Sequence, residues 1–223
     1  MEKFLNEVIQ KQVMDVFAVL ENPVAIIFFN SKVQQCEYCI DTEQLLTEVV
    51  DLSDKLTLKV YDLEDDALLA NEFHVDKAPG FVIAGQEGEQ VVDYGIRFYG
   101  IPAGSEFGSL ISALLLVSKR QSDLNEQTRA FLSGLTKPVH LMVFATPTWP
   151  YCPQAVVLAH RMALESPMIE AEMIEASEFP GLVNQFGVNG VPQTTINHGV
   201  VDVIGAGTEQ HLVNEIKKAL NMN

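Results

Sequence analysis

Hydrophobic and polar positions along the chain switch between the 3.6-residue period of amphipathic helices and the short apolar runs of buried strands. Residues 2–20 have the helical period, and their predicted apolar stripe consists of Leu5, Ile9, Val13, Val16 and Leu20. Residues 24–29 form a continuous apolar run rich in β-branched and aromatic side chains, which predicts a central strand buried on both faces. A polar loop, residues 30–35, then leads to Cys36.

The same reading assigns the rest of the chain and shows one order of elements twice, namely α, β, α, β, α, β, β, α. The first half continues with predicted helices at 39–50, 64–73 and 103–117, strands at 56–60, 81–84 and 91–96, and a turn at 85–89. The second half has predicted helices at 122–135, 152–164, 178–186 and 208–220, and strands at 139–145, 169–174, 193–197 and 200–204. A linker at 118–121 joins the halves.

The two halves also align residue by residue at their most reactive segment. Cys36-Glu37-Tyr38-Cys39 corresponds to Trp149-Pro150-Tyr151-Cys152, and the separation of 113 residues between Cys39 and Cys152 recurs between Pro79 and Pro192. We therefore predict an N-terminal domain of residues 1–119 with an intact Cys-x-x-Cys pair. The C-terminal domain, residues 120–223, carries a degenerate Trp-x-x-Cys site.

Charge and composition exclude several classes of function. The net charge of −16 argues against nucleic acids, whose phosphates need Lys and Arg, and against anionic membranes. No apolar run reaches membrane-spanning length, and the first residues lack the basic-then-apolar order of a signal peptide. We expect a cytoplasmic protein, in which the three cysteines are catalytic or metal-binding rather than structural staples.

The Cys-x-x-Cys pair follows a predicted strand and precedes a predicted helix. Free N–H groups and the helix dipole at that helix N-terminus would stabilise a Cys36 thiolate, which is the nucleophilic form. Cys39 lies one turn deeper and is the natural resolving thiol. Glu37 opposes the thiolate, and Lys77 either reaches Cys36 and lowers the pKa of its thiol or is a solvated surface charge.

Metal chemistry is the competing interpretation of the cysteine pair. Zinc takes four ligands, and His74 and Cys152, the nearest other candidates, are distant in sequence. An iron–sulfur cluster shared between two chains could use one pair from each. The five histidines show no spacing typical of a metal site, so we predict no metal ligands.

A strand, a Cys-x-x-Cys pair, a helix, a proline 40 residues after the second cysteine and a hairpin together resemble thioredoxin. Two such units resemble the prokaryotic protein disulfide oxidoreductases, a glutaredoxin-like family with tandem thioredoxin folds. The similarity includes the stretches DYGIR (93–97), GIPAG (100–104), TPT (146–148) and PYCP (150–153). It implies an α/β fold of two tandem thioredoxin-like folds, each a central mixed β-sheet flanked by helices.

The resemblance also implies roles at the first site. Cys36 would attack and Cys39 would resolve, while Pro79 and its counterpart Pro192 would be cis prolines. The substrate would contact Glu37, Tyr38, Ala78 and Pro79, with the backbone of Ala78 bonding an extended segment as an added strand. Arg97 is a further candidate anchor.

Protein disulfides would be the substrates of this dithiol. A thioredoxin-reductase-like flavoenzyme or glutathione would supply electrons. No cofactor is expected beyond the Cys36–Cys39 disulfide, because the electrons reside on sulfur.

Trp149 departs from the family, which usually carries a second Cys-x-x-Cys at this position. We expect Cys152 to be buried and inert. Trp149 fills the vacated surface as packing, or forms a peptide-binding platform with residues 190–192, or replaces a cysteine in an altered variant. Two alternatives to an exchange enzyme follow: a peptide-binding, chaperone-like module, and a carrier of metal or iron–sulfur on the cysteine pair.

Overall fold

The computed structural model describes residues 3–33 and 36–222. Residue 2 of the predicted first helix and residues 34 and 35 of the predicted polar loop lie outside the described residues. The helices are α1 Glu7–Phe17, α2 Cys39–Val50, α3 Ala67–Glu72, α4 Ser105–Lys119, α5 Glu126–Ser133, α6 Cys152–Glu165, α7 Pro180–Gln185 and α8 Glu209–Ala219. The strands are β1 Val24–Asn30, β2 Leu56–Asp62, β3 Gly80–Glu87, β4 Gln90–Tyr99, β5 Val139–Ala145, β6 Ile169–Glu175, β7 Gln193–Ile196 and β8 Val201–Ile204.

All of these strands join in one mixed sheet with the order β2-β1-β3-β4-β6-β5-β7-β8. Each half contributes four strands in the same internal order, which is the repeat that the sequence predicts. The halves meet where β4 pairs in parallel with β6, from Ile96 opposite Ala171 to Tyr99 opposite Ile174. The fold is thus α/β with two thioredoxin-like units side by side, and their sheets form a single continuous surface.

Both faces of the sheet are buried, which explains the continuous apolar run of β1. Val24, Ile26 and Phe28 belong to the core on one face, where α1, α2, α4, α5, α6 and α8 pack. The alternate residues Ala25, Ile27 and Phe29 belong to the core on the other face, beneath α3 and α7. Because side chains alternate along a strand, a strand covered on both faces requires apolar residues at every position.

Among the helices that begin later than the sequence predicts, α1, α5 and α8 each have a polar side chain as their cap. Asn6 accepts hydrogen bonds from the backbone of α1, Asn125 from that of α5 and Thr208 from that of α8. Such capping side chains replace the missing partners of the first N–H groups, and the helix starts one residue further on. In α1, the prediction that Val16 belongs to the apolar stripe is wrong, because Val16 is exposed and Phe17 is buried instead.

Two connections differ from the sequence prediction. The turn predicted at 85–89 is shorter, because β3 continues to Glu87 and pairs there with Gln90. Gly88, with a φ of +63°, provides the left-handed turn residue. Helix α4 extends through Lys119, so half of the predicted linker is helical, and Arg120 ends the helix in a left-handed conformation.

Candidate active site

The two cysteine segments lie at the same edge of the sheet. Strand β1 is antiparallel to β3, and β3 to β4, so β1 and β4 run in the same direction. Strand β4 is parallel to β6, and β6 to β5. The loop after β1, which carries Cys36, and the loop after β5, which carries Trp149, therefore emerge on one side of the molecule.

Cys36 and Cys39 form a disulfide with 5.4 Å between their Cα atoms. Cys36 is half-buried, whereas Cys39 is 7% exposed and is the first residue of α2. The amide of Thr42 donates to the carbonyl of Tyr38 at 2.8 Å and closes the first turn of the helix. The accessible sulfur stands before the N-terminus of α2 and the covered sulfur belongs to its first residue, an arrangement that activates the outer thiol.

A cleft of about 690 Å³ opens beside Cys36, and both halves of the chain line it. We call it the dithiol cleft. The first half contributes Cys36, Glu37, Tyr38, Ala78, Pro79, Ile101 and Ala103. The second half contributes Thr146, Pro147, Thr148, Glu175, Ser177, Glu178, Phe179 and Pro180. The structure therefore brings the predicted substrate-contact residues together around the cysteine, and it adds a second wall that the sequence did not reveal.

Two prolines occupy equivalent places beside the two cysteine segments. The Ala78–Pro79 and Val191–Pro192 peptide bonds are both cis, as the family resemblance implies. Pro79 precedes β3, is buried, and its carbonyl accepts a hydrogen bond from the amide of Gly100 at 2.9 Å. Ala78 is 9% exposed and Pro192 is buried as well.

Glu175 and Glu178 are the charged residues of the cleft that sequence reasoning missed. The amide of Ile101 donates to Glu178 Oε1, and the amide of Glu178 donates to Glu175 Oε2, both at 2.7 Å. Burial raises the pKa of Glu178 to about 7, with added repulsion from Glu175 and Glu37, while the Ile101 hydrogen bond opposes the shift. The available signal was a Glu-x-x-Glu sequence directly after a predicted strand.

The second cysteine segment has the same backbone arrangement, in which a helix begins at a cysteine, but different side chains around it. Cys152, the first residue of α6, is fully buried, and this burial raises the pKa of its thiol. Trp149 is 48% exposed and Tyr151 is 55% exposed, with 6.0 Å between their ring centroids, and Pro150 is exposed as well. The exposure of Trp149 favours the platform interpretation over packing.

Glu106 is a buried carboxyl in the first turn of α4, near the second cysteine segment. The Ser109 hydroxyl donates to Glu106 Oε2 at 2.6 Å, and the other carboxyl oxygen has no hydrogen-bond partner among the described residues. Burial raises the pKa of Glu106 to about 7. Its charge also contributes to the raised pKa of the Cys152 thiol.

A separate groove of about 1060 Å³ contains His140, Glu170 and Glu172, whose ligand atoms lie within 4.8 Å of one another. Lys77 lies 3.8 Å from Glu172, and Arg97 lies 3.6 Å from Glu170. We assign these carboxylates to an ion-pair network, since cations already face them.

Two sequence interpretations are corrected by this network. Lys77 neither reaches Cys36 nor stands free in solvent, because it lies over the ring of Tyr99 with 3.8 Å between Nζ and the centroid. Arg97 is 1% exposed and donates to the carbonyl of Phe73 and to Asp93, each at 2.7 Å, so it is structural rather than a substrate anchor.

None of the helices in the described part of the chain is both long enough and apolar enough to cross a membrane.

Comparisons with known proteins agree with this architecture. Residues 139–219 match the thioredoxin domain family. A protein disulfide oxidoreductase from Aeropyrum pernix K1 has a similar structure, with a TM-score of 0.87, 31% identity, and coverage of 97% of this chain and 94% of that one. The NTD_N/C domain of alkylhydroperoxide reductase AhpF from Enterococcus faecalis superposes with a TM-score of 0.85, at 26% identity over 95% of this chain and 99% of that one.

Similarity in sequence extends to the F component of alkyl hydroperoxide reductase from Staphylococcus epidermidis, which is 27% identical over 175 residues. That match covers 78% of this chain but 31% of the relative. The chain thus spans about a third of the length of the curated relatives that it matches.

Proposed function

On the premise that this chain belongs to the protein disulfide oxidoreductases with tandem thioredoxin folds, we propose that it exchanges disulfides with protein partners through Cys36 and Cys39. The observation that carries this proposal is the half-buried Cys36 in the dithiol cleft, linked to a covered Cys39 and next to Pro79. The cleft lies open beside Cys36 and is lined by both halves, which gives a partner's segment access to the sulfur.

The exchange proceeds in two balanced steps. The Cys36 thiolate attacks one sulfur of the partner's disulfide; a mixed disulfide forms, and the partner's other sulfur leaves as a thiolate and takes a proton from water. The Cys39 thiolate then attacks the Cys36 sulfur, restores the Cys36–Cys39 disulfide and releases the partner's second sulfur as a thiol after protonation. Two electrons pass from the dithiol to the partner.

Reduction of the Cys36–Cys39 disulfide returns two electrons to the protein. We propose a thioredoxin-reductase-like flavoenzyme or glutathione as the donor, with no bound cofactor required. The residue ranges 1–119 and 120–223 and the cytoplasmic location remain predictions from the sequence.

We propose that the C-terminal half is inert in redox chemistry. The full burial of Cys152 and the presence of Trp149 in place of an attacking cysteine support this assignment. The exposed aromatic pair of Trp149 and Tyr151 favours a second role as a platform for apolar segments of the partner.

Differential alkylation across a dithiothreitol redox series, read by mass spectrometry at each cysteine, tests the proposal. We expect Cys36 and Cys39 to titrate together as a two-electron couple and Cys152 to react only after denaturation. The same preparation, reduced, should cleave the disulfides of insulin. A pair that never forms a disulfide would exclude exchange, and visible absorption or bound metal in fresh protein would favour the carrier function instead.

A further inference from the structure

The dithiol cleft carries a one-sided charge next to the reactive sulfur. Glu37, Glu175 and Glu178 line it, and no Lys, Arg or His is present among the described residues that do so. Elsewhere in the described chain, buried or half-buried carboxylates such as those of Glu170 and Glu172 face cations. The cleft therefore differs from the groove around Glu170 and Glu172, in which cations face the carboxylates.

The carboxylates of the second wall have unused hydrogen-bonding capacity. Glu175 is 2% exposed, yet its Oε1 has no hydrogen-bond partner among the described residues, and neither has Glu178 Oε2. Leaving a buried charged oxygen unpaired is costly, and proteins normally satisfy such atoms. Both residues line the dithiol cleft, so a donor that enters the cleft can satisfy these oxygens once the side chains turn toward it.

We propose that the dithiol cleft selects partner proteins in which a Lys or Arg lies beside the disulfide cysteine that Cys36 attacks. This inference rests on the proposed exchange function and specifies its substrate class. The cation would donate charge-assisted hydrogen bonds to Glu175 and Glu178, while Cys36 attacks the neighbouring sulfur. The C-terminal half thereby determines which disulfides reach a cysteine that belongs to the N-terminal half.

Three peptide probes test the selectivity. Each carries one cysteine joined to 2-mercaptoethanol, and the residues flanking the cysteine are lysine, glutamine or glutamate. We expect the reduced protein to cleave the lysine probe about tenfold faster than the glutamine probe, and the glutamate probe more slowly still, at low ionic strength. Added salt should narrow the differences, because it screens charges at the open mouth of the cleft.

Glu178→Gln tests whether the second-half wall of the dithiol cleft produces this selectivity. Its amide oxygen can still accept from Ile101, so this variant keeps the backbone contact, and circular dichroism verifies the fold. The lysine-to-glutamate rate ratio should fall several-fold relative to the unmodified protein. Glu89→Gln, at an exposed turn position, is the matched control and should keep the full ratio.

The ratio should also increase from pH 6 to pH 8, as Glu178 loses its proton near a pKa of about 7. The ionisable groups that face this carboxyl are Glu175, Glu37, Tyr38 and the Cys36 thiol. Because the rate ratio compares probes at the same pH, ionisation of the thiol itself cancels.

Hydroxyethyl disulfide, which is small and neutral, distinguishes failure of the inference from failure of the proposed function. If the protein reduces it and cleaves all three peptides at equal rates, the charge selectivity is wrong and the exchange function stands. If it reduces neither hydroxyethyl disulfide nor any peptide, the proposed function itself fails.

Discussion

The two halves of the molecule offer a comparison between one fold with a dithiol and the same fold without it. Each half has a strand that ends at the common sheet edge, a helix that begins at a buried cysteine, and a cis proline next to it. The halves differ at the outer position, where Cys36 is half-buried and Trp149 is 48% exposed. The two halves thus share one backbone arrangement, and under the proposed function the side chain at the outer position decides whether that arrangement is reactive.

Removing each cysteine in turn gives the largest expected contrast. Cys36→Ser should lower the rate of insulin reduction by more than about 1000-fold, since the attacking sulfur is gone. Cys39→Ser should trap a mixed disulfide with the partner, visible on a non-reducing gel. Cys152→Ser is the matched control and should leave the rate within about twofold. A large loss of activity in Cys152→Ser would overturn the assignment of an inert second half.

Restoring a cysteine to the second half tests whether its backbone geometry still allows a Cys-x-x-Cys disulfide. Trp149→Cys creates a Cys-x-x-Cys pair with Cys152, and we expect mass spectrometry under oxidising conditions to detect a second disulfide. Cys152 should then become reactive together with the new thiol. Trp149→Ser, which lacks the sulfur, is the control. An oxidised Trp149→Cys protein with two free thiols in the second half would show that its frame has lost the geometry for a disulfide.

Glu106, a buried acid of helix α4 in the first half, gives a stability effect that depends on pH. The pKa of Glu106 is about 7 in the folded chain against an ordinary 4.5. Between these values the folded state keeps a proton that the unfolded state releases, so the free energy of unfolding decreases as pH increases.

Glu106→Gln removes this titration. Its advantage in free energy of unfolding over the unmodified chain should grow from pH 5 to pH 8, by on the order of 2 kcal/mol. Urea denaturation at several pH values measures it, and Glu89→Gln should show no such trend. A constant difference across this range would mean that Glu106 is ionised in the folded state.

The smallest expected effect concerns the exposed aromatic ring. Trp149→Ala should change the free energy of unfolding by less than about 0.5 kcal/mol, because the ring is half exposed. If the platform interpretation is right, the variant should still reduce hydroxyethyl disulfide normally while its KM for an unfolded, apolar protein disulfide increases. Tyr151→Phe, which keeps the ring, is the control. An unchanged KM would leave Trp149 as surface cover.

The sequence predicted what depends on local patterns. The order of elements, the alignment of Cys39 with Cys152 and the recurrence of Pro79 as Pro192 could all be read from spacing. Predicted helix ends were wrong by a few residues where a capping residue such as Asn125 was included in its own helix. The apolar period of the sequence continues through the cap, so it does not show where the helix begins.

What the sequence could not provide is contact between distant segments. Glu178 meets the Cys36 cleft only because β4 pairs with β6, and no periodicity specifies which strands of two repeats become neighbours. For the same reason, neither interpretation of Lys77, as a neighbour of Cys36 or as a solvated surface charge, is correct. Its partner Glu172 comes from the other half of the chain.

The pairing of β4 with β6 also determines whether the two halves of the chain can be separated. In the described sheet, β2 and β8 are the outermost strands. The pairing of β4 with β6 gives hydrogen-bond partners to backbone N–H and C=O groups that would otherwise lack them. A fragment cut between the halves would expose Ile96, Phe98 and Tyr99 along an unpaired strand, which is a template for aggregation. Whatever its sulfur chemistry, the second half covers the edge of β4 that the first half alone would leave unpaired.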